Sequence, residues 1–259
     1  MKDFILFLDL IRLKKPIGIM LLFWPCLWGL TLANDFTSNN LQYVIYFIYF
    51  FLGSVLMRSA GCIVNDILDR KYDILVERTK QRPIASGKIS VKLSMIYVII
   101  LCSFAFLILI QFNFTTILLG LASMPFAFSY PLMKRYTYWP QLFLGFTFNY
   151  GLIMAWFSIK PEFSYIPIIF YIGAIFWTLA YDTIYGFQDI KDDEIIGVKS
   201  TSIKFKKNPK LLIFICYLIF IIMQIISGAL MEFNYYYYIG IVIIAFHLLF
   251  YQTKNLDIS

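Results

Sequence analysis

The sequence predicts an all-α membrane protein, a single-domain polytopic bundle (1–259) of about eight transmembrane helices. Three observations predict it. The 259 residues are 61% hydrophobic and 20% aromatic, and only 14% are charged. A soluble domain is about half apolar and about a quarter charged. The apolar residues fall in runs close to the ~20 residues that cross a bilayer. The basic residues between those runs are concentrated in alternate connections, the pattern that sets membrane orientation.

Eight runs qualify, at 17–33, 41–61, 94–112, 114–131, 141–158, 165–185, 211–230 and 235–252. The first is long enough to span, and no small-residue cleavage site follows it, so it reads as a retained helix and not as a secretory signal. The third and fourth are split only by the polar break Gln111-Phe112-Asn113. Pro125, Pro131, Pro140 and Pro167 mark kinks or ends, tolerated where neighbouring helices satisfy the freed backbone groups. Cys26, Cys62, Cys102 and Cys216 have no paired spacing and read as small buried hydrophobes.

The net charge of +7 does not mark a nucleic-acid binder, because the basic residues form no single stripe. Lys2, Arg12, Lys14 and Lys15 precede the first run. Arg70, Lys71, Arg78, Lys80, Arg82, Lys88 and Lys92 follow the second, with Arg58 just inside it. Lys134 and Arg135 follow the fourth, and Lys191, Lys199, Lys204, Lys206, Lys207 and Lys210 follow the sixth. The intervening connections carry only Lys160. The N-terminus and the three basic connections are therefore expected in the cytoplasm. With no transit peptide in view, the expected location is a bacterial inner membrane.

Two acidic clusters open the two longest basic connections. The first is Asn65-Asp66-Ile67-Leu68-Asp69-Arg70-Lys71-Tyr72-Asp73. On a helix, Asn65, Asp69 and Asp73 share one face and Asp66 lies at its edge. The second holds Asp182, Asp189 and Asp193, again near one face, with Asp192 and Glu194 beside them. Like charges at this spacing repel by roughly 0.2–0.5 kcal/mol per pair on an exposed helix, and by more beside a membrane. The plain reading is an acidic face salt-bridged to its Lys and Arg neighbours. The sharper one is a divalent metal site: oxygen ligands without His or Cys select a hard ion, Mg²⁺ before Zn²⁺. Two facing carboxylate sets would bind a diphosphate through bridging Mg²⁺, which stabilises charge on the departing group. Lys134, Arg135, Arg78, Arg82 and Lys199 lie near enough in sequence to serve the same anion, or to contact lipid headgroups.

These residues together resemble the UbiA superfamily of membrane prenyltransferases, in its 4-hydroxybenzoate branch. Asn65, Asp66, Asp69 and Asp73 match the motif Asn-Asp-x-x-Asp-x-x-x-Asp, Asp189 and Asp193 match Asp-x-x-x-Asp, and Tyr130 and Lys134 match Tyr-x-x-x-Lys. The branch is suggested by Arg12 to Gly18, Trp24-Pro25, Arg58 to Cys62, Arg82-Pro83, Tyr130 to Tyr136, Tyr181-Asp182-Thr183 and Lys199-Ser200-Thr201. The matches run in family order over nearly the whole chain. Members commonly have nine spanning helices, so this chain, which stops just after the eighth at Asn255 to Ser259, is expected to lack a C-terminal helix.

The resemblance implies transfer of a polyprenyl group from polyprenyl diphosphate to the ring carbon ortho to the hydroxyl of 4-hydroxybenzoate, a step of ubiquinone biosynthesis. It implies Mg²⁺ at Asn65, Asp66, Asp69, Asp73, Asp189 and Asp193, and diphosphate contacts from Lys134, Arg78 and Lys199. Tyr130 would face the allylic cation, Asp189 or Asp69 would take the ring proton, and Arg135 or Arg12 would hold the acceptor carboxylate. Haem and menaquinone precursors are the alternative acceptors. A CDP-alcohol phosphotransferase would need Asp-Gly and Ala-Arg elements that the chain lacks. A transporter would place its charges near the bilayer midplane, not at one membrane face.

Overall fold

The computed structural model describes residues 2–36 and 40–256, with the backbone alone for residues 2 and 3. Asp257, Ile258 and Ser259, where the expected short C-terminus falls, lie outside the described residues. The helices are α1 (Lys2–Leu10), α2 (Ile17–Ala33), α3 (Asn40–Asp73), α4 (Val91–Leu109), α5 (Phe114–Ser129), α6 (Met133–Tyr136), α7 (Pro140–Ile159), α8 (Ile166–Gly186), α9 (Ile190–Ile196), α10 (Thr201–Lys204), α11 (Pro209–Leu230) and α12 (Tyr235–Ala245). Short 3₁₀ turns occupy Tyr130–Leu132 and Phe187–Asp189, and α12 continues as a π-helix over Phe246–Gln252. Each of the eight expected spans falls on a helix. Among the described residues seven stretches are long and apolar enough to cross a membrane, and the eighth, α2, is an apolar helix of 17 residues.

The chain divides into two compact units. One is Met1–Pro131 with Met154–Pro161, and the other is Leu132–Ile153 with Glu162–Ser259. In the first, α3 packs against α2 and α4. One core joins Phe23, Cys26 and Leu30 of α2 to Phe50 of α3, with Phe112 and Ala155. Phe112 stacks on Phe50 with ring centroids 4.8 Å apart. The polar break ahead of α5 has a structural cause. Asn113 Oδ1 accepts from Thr116 N at 2.9 Å as an N-cap, while Asn113 Nδ2 donates to Phe157 O and Ser158 O at 2.8 and 3.1 Å. One side chain thus satisfies an orphan N–H at the start of α5 and orphan carbonyls at the end of α7.

The 34 residues of α3 rise ~50 Å at about 1.5 Å per residue, well beyond the ~30 Å apolar layer. The surplus is the polar C-terminal end, and it carries the first acidic cluster on unbroken helix. A second core braces that end. It joins Leu10 and Ile11, Ala60 and Ile63 of α3, Ile84 and Ile89 of the following connection, and Val98 of α4. The α1 helix is too short to span and was not among the expected elements; this core is what holds it.

In the second unit α8 packs on α11, and α11 on α12. Small residues set the approach. A Cβ at Gly145 of α7 would lie 2.9 Å from the Ile175 carbonyl oxygen of α8, and one at Gly173 would lie 2.9 Å from Met223 Cβ of α11. Beside Gly145, buried Asn149 donates from Nδ2 to Thr178 Oγ1 at 2.7 Å and to Ala174 O at 3.2 Å. Helices in lipid associate by such close packing and interhelical hydrogen bonds.

Replacement of Gly145 by Ala is expected to lower stability by about 1–3 kcal/mol through overpacking. Gly53, where a Cβ meets nothing within 4 Å, should accept Ala without loss. Thermal unfolding of the two variants in detergent compares them; equal melting would refute the packing argument.

Candidate active site

The first acidic cluster occupies the last turns of α3. Asp66 and Asp69 are each 2% exposed and Asp73 is 7% exposed. With Cys62 they form a buried stripe at i, i+4, i+7 and i+11, while Asn65 is half-buried. This reverses part of the expected arrangement: Asp66 lies inside the stripe and Asn65 at its border. The reason is where the positive charge comes from. Arg12 Nη2 donates to Asp66 Oδ1. Arg82 Nη1 donates to the same Oδ1 at 3.2 Å, and to Asp73 Oδ1 and Oδ2 at 3.0 and 2.9 Å. Carboxylates this buried are tolerated only when paired.

Both arginines arrive from short-range structure outside α3. Arg12 follows α1 with a backbone φ of +55°, a left-handed conformation that few non-glycine residues adopt. Its guanidinium is held above its ordinary basicity: burial opposes the charge, but Asp66 first, and then Cys62, Tyr130 and Asp73, outweigh that. Tyr130, in the 3₁₀ turn after α5, thereby lies within electrostatic reach of Arg12. Arg82 sits in the connection 74–90, whose Pro83, Ile84, Ala85 and Ile89 are buried. Thr79 Oγ1 ties that connection to the Asp73 carbonyl at 2.9 Å. Arg78, on the same connection, is exposed. Arg58 of α3 packs its guanidinium on Gly18 of α2, where a Cβ would lie 2.5 Å from Arg58 Nε.

The second acidic cluster lies in the second unit. Asp182 is in α8, Asp189 ends the 3₁₀ turn Phe187–Asp189, and Asp193 is one turn later in α9. All three are half-buried, while Lys191, Asp192 and Glu194 around them are exposed; the 3₁₀ turn interrupts the continuous helix on which one shared face was expected. Gly197, at φ +74°, ends α9, and its N–H and that of Val198 both donate to the Asp193 carbonyl. The sharp turn sends the chain back to α6. There Lys199 N donates to Lys134 O at 2.7 Å, and Lys199 Nζ donates to Tyr136 O at 3.2 Å. Lys134 and Lys199, assigned to one anion from the sequence, are neighbours here. Arg135 is half-buried on the same turn of helix.

A buried hydrogen-bond network fixes this basic turn. Thr201 N donates to Gln141 Oε1 at 3.0 Å, Thr201 Oγ1 pairs with Thr183 Oγ1 at 2.7 Å, and Ser202 Oγ donates to Thr183 O at 2.8 Å. Sequence reasoning offered Arg82 to the anion or to lipid headgroups, not to the aspartates it pairs with, and assigned no role to Gln141. Neither falls on a periodic face with the aspartates.

Among the described residues, no three Asp, Glu, His or Cys side chains converge as a ready-made cage for an ion. Mg²⁺ does not require one: it usually keeps waters and binds through one or two carboxylates plus substrate phosphates. The buried oxygen donors of α3, without His or Cys in the motif, fit that ion. The lysine pair of the second unit fits phosphate oxygens.

The UbiA prenyltransferase family model matches residues 22–258. The chain is 40% identical over 253 residues to the 4-hydroxybenzoate octaprenyltransferase of Pseudomonas fluorescens, covering 97% of this chain and 84% of that one. It is 43% identical over 205 residues to the mitochondrial 4-hydroxybenzoate polyprenyltransferase of Caenorhabditis elegans, covering 79% of this chain and 57% of that one. A UbiA homolog from Archaeoglobus fulgidus, solved bound to DMAPP and Mg²⁺, has a similar fold. Its TM-score is 0.74 at 19% identity, with 96% of this chain and 85% of that chain covered.

Gln141→Leu is expected to orphan the buried Thr201 N–H, at about 1–3 kcal/mol. Hydrogen exchange at residues 199–204 should speed up accordingly. Unchanged exchange would show that the network does not hold the basic turn.

Proposed function

The chain belongs to the UbiA prenyltransferase family, and we propose that it transfers a polyprenyl group from polyprenyl diphosphate to 4-hydroxybenzoate in a bacterial inner membrane. The observation that carries the reading is the stripe of three buried carboxylates ending a membrane helix. The similarity to 4-hydroxybenzoate octaprenyltransferases supports the choice of acceptor. The distribution of basic residues supports a cytoplasmic N-terminus and cytoplasmic acidic ends.

The metal-binding role is assigned to Asn65, Asp66, Asp69 and Asp73 in the first motif and to Asp189 and Asp193 in the second. Mg²⁺, when bound, supplies positive charge that stabilises the departing diphosphate. Lys134 and Lys199, with Arg78, hold diphosphate oxygens through charge-assisted hydrogen bonds. The isoprenoid tail stays in the apolar layer, where its surface is removed from water. The bond from the allylic carbon to the diphosphate oxygen breaks, and the Tyr130 ring stabilises the resulting cation by roughly 0.5–2 kcal/mol. The ring carbon ortho to the hydroxyl forms the new carbon–carbon bond. Asp189 or Asp69 then takes the ring proton and restores aromaticity. The acceptor carboxylate is assigned to Arg135 or Arg12, whose planar forks suit a bidentate pair; for Arg12 this is shared with its bond to Asp66.

Membranes containing the chain, given polyprenyl diphosphate, 4-hydroxybenzoate and Mg²⁺, are expected to form 3-polyprenyl-4-hydroxybenzoate. EDTA, Asp69→Asn and Asp189→Ala should each abolish most of it. Product formed in EDTA, or at near wild-type rate by Asp69→Asn, would overturn the metal assignment. Product from a haem or menaquinone precursor alone would move the acceptor and leave the reaction class standing.

A further inference from the structure

We propose that Arg82 is the resident counter-ion of the first acidic motif, a positioning residue that pairs Asp66 with Asp73 and yields them when a divalent cation binds. The inference rests on the reading of that motif as a Mg²⁺-binding set. It adds a role for a residue outside the motif.

A single nitrogen, Arg82 Nη1, reaches three carboxylate oxygens: Asp66 Oδ1 at 3.2 Å and Asp73 Oδ1 and Oδ2 at 3.0 and 2.9 Å. It bridges two residues almost two helical turns apart on α3, so it fixes both side chains at once. The guanidinium is delivered by a packed turn and not by a loose arm. Ile84, two residues on, is fully buried in the core shared with Ala60 and Ile63 of α3. Thr79 Oγ1 donates to the Asp73 carbonyl, and the Arg82 carbonyl accepts from Ser86 N and Ser86 Oγ. The side chains of Arg82, Asp66 and Asp73 are 24%, 2% and 9% exposed.

Two consequences follow from the charges. Oxygens that accept from a guanidinium offer less of their lone pairs to a metal, and a positive charge a few ångströms away repels a divalent ion. Mg²⁺ requires oxygen ligands at about 2.0–2.1 Å in near-octahedral geometry. Arg82 therefore competes with the ion for the carboxylates and must leave at least one of them. Arg12 also donates to Asp66 Oδ1, so Asp66 stays compensated when Arg82 moves. A purely structural arginine behaves otherwise: its removal loosens the site and weakens metal binding.

The test uses Mn²⁺ alone as a paramagnetic probe. It is titrated into the full detergent-solubilised chain as wild type, Arg82→Gln, Arg82→Lys and Asp69→Asn, with thermal unfolding in EDTA and in Mg²⁺ alongside. Arg82→Gln is expected to bind Mn²⁺ several-fold more tightly than wild type, to melt lower in EDTA and to gain more from Mg²⁺. Arg82→Lys, which keeps the charge and loses the fork, should fall between. Binding by Arg82→Gln no tighter than wild type overturns the proposal. If that variant does not fold, Arg82→Lys binding no tighter than wild type does the same. Binding lost in Asp69→Asn but indifferent to position 82 overturns the counter-ion role alone. A wild type that binds no Mn²⁺ overturns the metal reading beneath it.

Discussion

Three carboxylates buried along one stripe of a membrane helix cannot stand without positive charge beside them. An unpaired buried charge costs several kcal/mol even after relaxation, comparable with the whole stability of a domain. Much of the first unit serves this constraint. The α1 helix, too short to span, exists structurally to seat Leu10 and Ile11 and so bring Arg12 to Asp66. The connection 74–90 folds back on α3 through Ile84 and Ile89 and so brings Arg82 to Asp66 and Asp73. The apolar contacts supply the stabilisation, and the ion pairs supply the arrangement.

The second unit solves a related problem with neutral groups. Its basic turn must present lysines without burying them, and a network of hydroxyls and one amide does the holding. Thr183, Thr201, Ser202 and Gln141 lock the chain after Gly197 onto α8 and α7, leaving Lys199 half-exposed beside Lys134. One unit thus orders its ionic groups by direct pairing. The other orders them through backbone positions fixed by uncharged partners.

The spans were legible because a lipid-facing helix must be apolar over a set length, and hydropathy reports that directly. Asp69 and Asp73 were legible as one face because they sit four apart on a helix. Asp66 was placed at the edge because periodicity alone cannot see Arg12 and Arg82, which lie 54 and 16 residues away from it. Arg12 was offered to the acceptor for the same reason: a basic residue near a membrane end carries no mark of its partner. The α1 helix was missed because nine residues give no spanning signal, and Gln141 because a polar residue opening an apolar run reads as a boundary. What stayed illegible is tertiary pairing from segments without a repeat.

Asn113 has a further consequence, for biogenesis. Its side-chain oxygen caps α5 locally, whereas its amide waits for carbonyls 44 and 45 residues later in the chain. At ribosomal speeds of about 5–20 residues per second, that partner emerges roughly 2–9 s afterwards. The local cap of α5 can thus form before the contact that fastens this residue to the end of α7, and position 113 is a latch set early and closed late.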